Sequence, residues 1–239
     1  MLSPYGIDII ESCLNCKMRA DHIFCDLPTP VLEAFDSIRF STAYPKGAVL
    51  FVEGQAPRGI FVVCRGRVKL SICSADGKTL ILKITTVGEV LGMSAALSGK
   101  PYELTAETLD SCHITFVKRD DFLRFLKENN EACFRVAERL SEKYYTACRN
   151  VRSLALSHSA AERLARLLLE WTTKSGEDTK TEDRIKLPLT HEEIAQMIGT
   201  SRETVARLFA AMKNQHIAQL KGSTLVIRNK AALKALATS

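Results

Sequence analysis

Two groups of side chains in this 239-residue chain have types and spacing suited to chemistry. The first is sulfur. Cys13 and Cys16 are separated by two residues, Cys25 follows after eight more, and Cys112 stands far downstream in the run Ser111–Phe116. Iron–sulfur clusters are held by thiolates, typically four, with some in a tight local run. Zinc accepts mixed sulfur and nitrogen sets, and His22 or His113 would then substitute for one thiol. The third reading of the same residues is free thiols with an occasional regulatory disulfide. The second group is Thr200, Ser201, Arg202, Glu203 and Arg207. Arginine bonds guanine O6 and N7 together, and glutamate accepts from cytosine N4. Positions 202/206 and 203/207 are four apart and share one face of a helix, with the small Ala206 leaving that face open.

An enzyme reading finds less support. A dithiol enzyme using the Cys13/Cys16 pair needs a low-pKa cysteine at a helix start in a βαβ setting, and the flanking sequence supplies none. No phosphate-binding loop, nucleophile elbow, zinc-protease or dinucleotide motif is present. The chain is therefore read as a non-enzyme, with a thiol-redox protein as the alternative from another class.

The elements that position these residues follow from caps and periodicity. Thr190 and Glu193 fit a capping box, a short helix runs to Ile198, and Gly199 supplies a permissive turn. Thr200–Glu203 reads as a second capping box opening the next helix. Ile194, Ile198, Val205, Leu208 and Met212 form its buried side, which makes a helix-turn-helix. Ala218–Leu220 and Thr224–Arg228, joined through Lys221, Gly222 and Ser223, read as a wing. Upstream, short β-rich runs broken by glycine (Ala48–Val52, Gly59–Cys64, Arg67–Cys73, Thr79–Ile84) indicate an all-β roll between about Ile38 and Phe116. From Arg119 to Ser157 the period becomes helical. Val136, Leu140, Tyr144, Ala147, Val151 and Leu154 recur at steps of three and four, the seam along which two helices zip. A second helix spans about Ala160–Thr173, and Lys174–Arg184 reads as a surface loop. Cys64, Cys73, Cys133 and Cys148 fall on strand or helix patterns as small apolar groups, and His158 and His191 as helix-end residues.

The fold class expected is α+β: an N-terminal double-stranded β-helix (β-roll), a long central dimerisation helix and a C-terminal winged helix-turn-helix. The division is 1–26 cysteine segment, 27–118 sensor roll, 119–157 dimer helix, 158–231 DNA-binding domain and 232–239 tail. From Arg202 to Ser239 there are seven Lys/Arg against one acid, a net +6 that equals the excess of the whole chain. A basic end on a neutral body suggests a polyanion partner. No apolar run approaches the roughly 20 residues of a membrane span, and no signal-peptide core opens the chain. A cytoplasmic location, with reduced thiols, is expected.

The run Leu189–Arg207, together with Tyr44–Gly47, the roll glycines and Gly88-Glu89 in order, resembles the Crp/Fnr regulator family over about residues 27–230. The resemblance implies a homodimer that binds double-stranded DNA, with RNA polymerase as a further partner. Arg202, Glu203 and Arg207 match the cyclic-AMP receptor type, which reads a TGTGA-like half-site. The oxygen-sensing branch usually has an aliphatic residue at position 202 and reads TTGAT. The family's cyclic AMP pocket aligns with Met93, Tyr102, Glu103, Ala147 and Cys148; a phosphodiester needs a positive partner and Glu103 repels it, so cyclic AMP is not expected. The oxygen-sensing branch carries an N-terminal cysteine cluster and one distant cysteine, which aligns with Cys112. An iron–sulfur cluster on Cys13, Cys16, Cys25 and Cys112 is what this part of the resemblance implies, although the second gap is longer here than in its best-known members.

Overall fold

The computed structural model describes residues 5–7, 9–16, 23–156, 159–174, 183–186 and 189–237. The chain divides into two compact units, Met1–Tyr145 and Thr146–Ser239.

The first unit opens with a 3₁₀ turn at Cys13–Asn15 and helix α1 (Thr29–Ser37). Strands β1 (Arg39–Tyr44), β2 (Val49–Phe51), β3 (Gly59–Arg65), β4 (Val68–Cys73), β5 (Thr79–Thr85) and β6 (Val90–Leu91) follow. A short helix α2 (Met93–Ser98) precedes β7 (Thr105–Thr108) and β8 (Cys112–Lys118). The strands form two four-stranded sheets, β1-β8-β3-β6 and β2-β7-β4-β5, and every pairing is antiparallel. This is the expected roll, with one helix, α2, where the sequence read only as strand. Successive side chains of a strand point to opposite faces, so each sheet has an inner and an outer face. Between the sheets lie Phe51, Phe61, Val63, Leu91, Tyr102, Cys112 and Ile114. The outer face of the β1-β8-β3-β6 sheet is covered by α1 and by helices α3 (Arg119–Glu128) and α4 (Asn130–Leu156).

That outer core is aromatic. Phe24, just ahead of Cys25, stacks on Phe35 of α1 at 4.8 Å and meets Phe122 and Phe125 of α3 edge-on at 6.0 and 6.3 Å. Each such ring buries a large apolar area, so the N-terminal segment is fastened to α1 and α3 at this point. A single helix from Arg119 was expected; the structure breaks it at Asn129. The Asn129 side chain donates to the Phe125 carbonyl (2.8 Å), closing α3, while its own carbonyl accepts from Cys133 N–H (3.1 Å) and starts α4. An asparagine that competes with its own backbone ends a helix without proline or glycine.

The dimer seam also needs correcting. Val136 is buried and Leu140 is packed against the same outer core of the roll, so neither is available to a partner. The exposed positions are Phe134, Ala137, Ser141, Tyr144, Cys148 and Val151, again at steps of three and four. Tyr144, Ala147 and Val151 of the expected seam are exposed; the side chain of Leu154 lies outside the described residues. Cys73, Cys133 and Cys148 are exposed, contrary to their reading as buried groups.

The second unit contains α5 (Ala160–Lys174), β9 (Asp183–Lys186), α6 (His191–Ile198), α7 (Arg202–Asn214), β10 (Ala218–Lys221), β11 (Thr224–Ile227) and α8 (Lys230–Leu236). The hairpin β10–β11 turns at Gly222, in the left-handed region at φ 58°. A third strand, β9, pairs with β11, at the end of what read as a surface loop; the rest of that loop, like His158 and His22, lies outside the described residues. Among the described residues no helix is long and apolar enough to cross a membrane.

Lys143 ties α4 to the roll: its Nζ donates to the Val90 carbonyl at 2.7 Å. Burial, helped by the neighbouring charges of Lys83 and Arg139 and opposed by Glu89 and Glu103, pushes its pKa down to about 8. The unfolded chain therefore binds more protons than the folded one between about pH 8 and 10.5, and stability rises with pH across that window. Denaturant melts of Lys143→Met are expected to lose most of this rise while keeping the wild-type slope below pH 8.

Candidate nucleic-acid interface and thiol site

The helix-turn-helix is assembled by local bonds. Thr190 Oγ1 accepts from Glu193 N–H (3.1 Å) and the Glu193 carboxylate accepts from Thr190 N–H (2.7 Å), a complete capping box. Gly199 ends α6 at φ 62°, with Thr200 N–H on the Ala195 carbonyl (3.0 Å). The second box differs from expectation. Ser201 caps α7 by accepting from Thr204 N–H (3.2 Å), so the third helical position is Thr204, and Glu203 is left free of that duty. Hydrogen bonds from its own backbone N–H and from Ser201, with Arg202 nearby, hold Glu203 below the usual carboxylate range. It is an ionised acceptor on the surface.

Ile194, Ala195, Ile198, Val205 and Met212 are buried, as is Phe209, which stacks on His191 at 5.5 Å. Leu208, expected in this core, is only half-buried, because Phe209 takes the place against α6. Ser201, Arg202, Glu203, Ala206 and Arg207 are exposed together on the other side, and Thr200 is half-buried at the turn. Among the described residues neither Arg202 nor Arg207 is in an ion pair. Two guanidinium groups and one carboxylate are thus presented at the N-terminal end of an exposed helix. That is the chemistry and the end of a recognition helix that reads base edges in a major groove.

The thiols form a second site in the first unit. A partly open pocket is lined by Cys13, Cys16, Cys25, Cys64, Arg39 and His113 among others. Its walls are fixed by charge. Asp36 accepts from Cys13 N–H (2.7 Å) and Ser12 Oγ (2.9 Å) and pairs with Arg39. Arg39 also donates to the carbonyls of Ile10 and Glu11 and to Ser41, so one nearly buried guanidinium strings the cysteine segment onto β1. Partial burial raises Asp36, but the hydrogen bonds from Cys13 N–H, Arg39 and Ser12 outweigh it and hold the carboxyl below its usual range.

The structure does not bring Cys112 to this cavity. Cys112 and His113 are neighbours on β8 and so point to opposite faces. His113 meets the thiols, and Cys112 lies between the sheets, 3.3 Å from the carbonyls of Arg67 and Asp110. There it packs on Gly66, where an added Cβ would come within 2.5 Å of its sulfur. The thiol from the roll that does reach the cavity is Cys64, which reads in the sequence as a buried apolar group. It sits at a β-bulge: Val63 and Arg65 pair with the consecutive residues Ile114 and His113, leaving Cys64 as the extra residue. Its direction is that of Ile60 and Val62, which share the outer core with it, so strand alternation already turns it that way. Burial pushes the Cys13 thiol up to about 12, against the opposing charge of Arg39, and raises Cys64 and Cys112 as well. As free thiols these are protonated and poor nucleophiles. His113 is pushed down to about 4, by burial first and Arg39 second, and is neutral at pH 7. Among the described residues no three His, Cys, Asp or Glu side chains close on a single metal ion.

Comparison with known proteins gives two domain matches: a cyclic nucleotide-binding domain at residues 41–129 and a Crp-like helix-turn-helix domain at residues 162–236. The cAMP-activated global transcriptional regulator CRP of Pasteurella multocida is 26% identical over 199 residues, covering 83% of this chain and 94% of that protein. The nitrogen fixation regulation protein FixK of Bradyrhizobium diazoefficiens is 24% identical over 239 residues, covering 100% and 98%. Among solved structures, a CooA variant from Carboxydothermus hydrogenoformans superposes with a TM-score of 0.76 at 20% identity, covering 91% of this chain and 96% of that one. FixK2 from Bradyrhizobium japonicum superposes with a TM-score of 0.72 at 22% identity, covering 83% and 97%. These likenesses show the fold.

The aromatic anchor at Phe24 holds Cys25 and the cysteine turn in place, which makes a measurable difference. Phe24→Ala removes a fully buried ring at a typical cost of about 3–5 kcal/mol. Its denaturant midpoint is expected to fall accordingly, and the Cys13, Cys16 and Cys25 thiols to react faster with a thiol-specific reagent, while Cys112 keeps its wild-type rate.

Proposed function

The chain belongs to the Crp/Fnr family of transcription regulators, and from that premise we propose that it reads a palindromic TGTGA-like site as a homodimer under the control of its N-terminal thiol site. The observation that carries the reading is the exposed cluster Arg202, Glu203, Ala206 and Arg207 on α7. Each arginine takes a guanine, Glu203 accepts from a cytosine opposite, and Ala206 lets the helix approach closely. A protein two-fold makes the site a palindrome, with half-sites about 34–36 Å apart, one turn of DNA. The surplus of positive charge beyond Arg202 serves the phosphates, so affinity falls with salt. RNA polymerase is the protein partner such a regulator acts on, and the cytoplasm is where a bacterial one works.

The two-fold is supplied by α4, whose Phe134, Tyr144, Tyr145 and Val151 are exposed. Large exposed apolar side chains mark a contact surface, and Phe134, Tyr144 and Val151 fall on one stripe with the steps of a coiled-coil seam.

The signal is not cyclic AMP in this reading. The interior of the roll is filled by its own side chains: Tyr102 stacks on Phe51 at 4.1 Å and donates its hydroxyl to the Gly59 carbonyl at 2.8 Å. Gly92 is the close neighbour that lets the Tyr102 ring in, since a Cβ there would come within 2.7 Å of it. Glu103 places a carboxylate, bonded to Ser94 at 2.8 Å, where a phosphodiester would need a cation. The thiol site outside the roll is the sensor. A thiol-redox enzyme is disfavoured by the raised pKa of the half-buried Cys13 thiol.

Two measurements test this. In gel shifts on a TGTGA palindrome, Arg202→Ala and Arg207→Ala are each expected to cost about 1–3 kcal/mol and to relax the preference for guanine; unchanged sequence preference would overturn the reader. In light scattering, Tyr144→Glu with Val151→Glu is expected to give monomers that lose palindrome binding, whereas a double variant that stays dimeric would remove α4 as the interface.

A further inference from the structure

We propose that Arg163 is a positioning residue for DNA reading: from α5 it fixes the turn between α6 and α7 and so sets where the recognition helix stands. This rests on the base-reading role given to α7 above and adds a residue that lies outside the recognition face. Helix α6 ends at Ile198, and the left-handed backbone of Gly199 turns the chain away. The N–H groups of Gly199 and Thr200 both go to the Ala195 carbonyl, and no N–H of the turn reaches the Ile198 carbonyl. That oxygen stands at the negative end of the helix and needs a donor from elsewhere. Arg163 supplies it, with Nε at 2.7 Å. Ile198 is only 3% exposed, so water is a poor substitute.

The base of this strut is itself fixed. Ser159 caps α5: its Oγ accepts from Glu162 N–H (3.1 Å) and its carbonyl from Arg163 N–H (3.2 Å). Glu162 pairs with Arg166, whose Nε donates to the Ala237 carbonyl (2.9 Å) at the end of α8. Two arginines three residues apart on α5 therefore each close the C-terminal end of another helix. Helix α6 leads into the recognition helix, and α8 follows the second strand of the wing. Through this pair, α5 holds both flanks of the reader in one frame.

Arg163 holds the end nearer the bases. Its acceptor, Ile198, lies three residues before the Ser201 cap and four before Arg202. Helix α7 is capped at Ser201 and buried along Val205, Phe209 and Met212, so a shift at the turn carries Arg202, Glu203 and Arg207 with it. Base-edge bonds need each guanidinium in a set place, whereas attraction to phosphates tolerates displacement. Releasing the turn therefore weakens binding to the palindrome and spares binding to random DNA. Among the described residues Arg163 is in no ion pair. A direct phosphate contact by its charge is the rival role, and it carries a different signature, a change in salt dependence.

The test is gel-shift titration of the full chain on a TGTGA palindrome and on a random duplex, each at several salt concentrations. Wild type, Arg163→Met, Arg163→Gln and Arg163→Lys are compared, with a melting curve for each. Arg163→Met keeps the apolar stem and is expected to lower palindrome affinity about tenfold, with random-duplex affinity and its salt slope unchanged. Arg163→Gln, whose stem is too short for the carbonyl, should do the same and supplies the contrast even where the Met variant does not fold. Arg163→Lys reaches the same oxygen and should recover most of the loss. A merely structural role lowers both affinities together, or neither, in a folded variant, and either result overturns the assignment. So does a random-duplex salt slope that falls by about one, the mark of a phosphate ligand. Wild type that binds both duplexes equally sinks base reading itself; a wild-type preference that survives in the folded variants removes Arg163 alone.

Discussion

Strand β8 is hydrogen-bonded on both sides, to β1 and to β3, so each of its side chains has two destinations and no third. Ile114 and Cys112 go inward, to the aromatic core that fills the roll; His113 and Thr115 go outward, beneath the N-terminal segment. Everything distinctive about the N-terminal half follows from that division. The inward set is closed by size, since Gly66 leaves space for a cysteine and little more. The outward set meets a segment that forms no strand with it. Other forces must hold that segment: the Asp36–Arg39 pair at one end and the Phe24 ring at the other. Shifting β8 by one residue would exchange the two sets and dismantle both cores at once.

The reader half is organised by short-range bonds instead, which is why so much of it is legible in the sequence. A threonine three residues before a glutamate, then a glycine where a helix must stop, define α6 and its turn without reference to the rest of the fold. The face of α7 follows from helical period alone. Even here the reading slips where two residue types compete for one role. Thr200 with Glu203 looks like a second box, yet Ser201 is the cap and its bond runs to Thr204, and Phe209 displaces Leu208 as the side chain against His191. In the roll, the glycine-punctuated strands are legible and α2 is not, because a six-residue helix carries too few periods to register.

What sequence could not deliver is tertiary in origin. The break at Asn129 depends on a side chain turning back on Phe125, a choice that any polar residue in a helix leaves open. The seam of α4 shifts because Val136 and Leu140 are taken up by the roll, and period alone does not say which of two apolar stripes faces inward. Cys64 follows Ile60 and Val62 to the outer face by alternation, but that the N-terminal segment covers this face is not written in the local pattern. Cys112 was chosen by resemblance, and resemblance carries a residue's position without its direction.

The aromatic anchor has a thermodynamic consequence. Phe24 and Phe35 share one continuous core with Phe122 and Phe125 of α3 and with Ala132 and Val136 in the first turns of α4. Such a core opens as a unit, because freeing any one ring exposes the others. The cysteine segment and the root of the long helix therefore belong to a single cooperative block, and their amide protons exchange with solvent through the same opening. Any chemistry that tightens the segment deepens the free-energy well of the helix root by the same amount, with no displacement of either required.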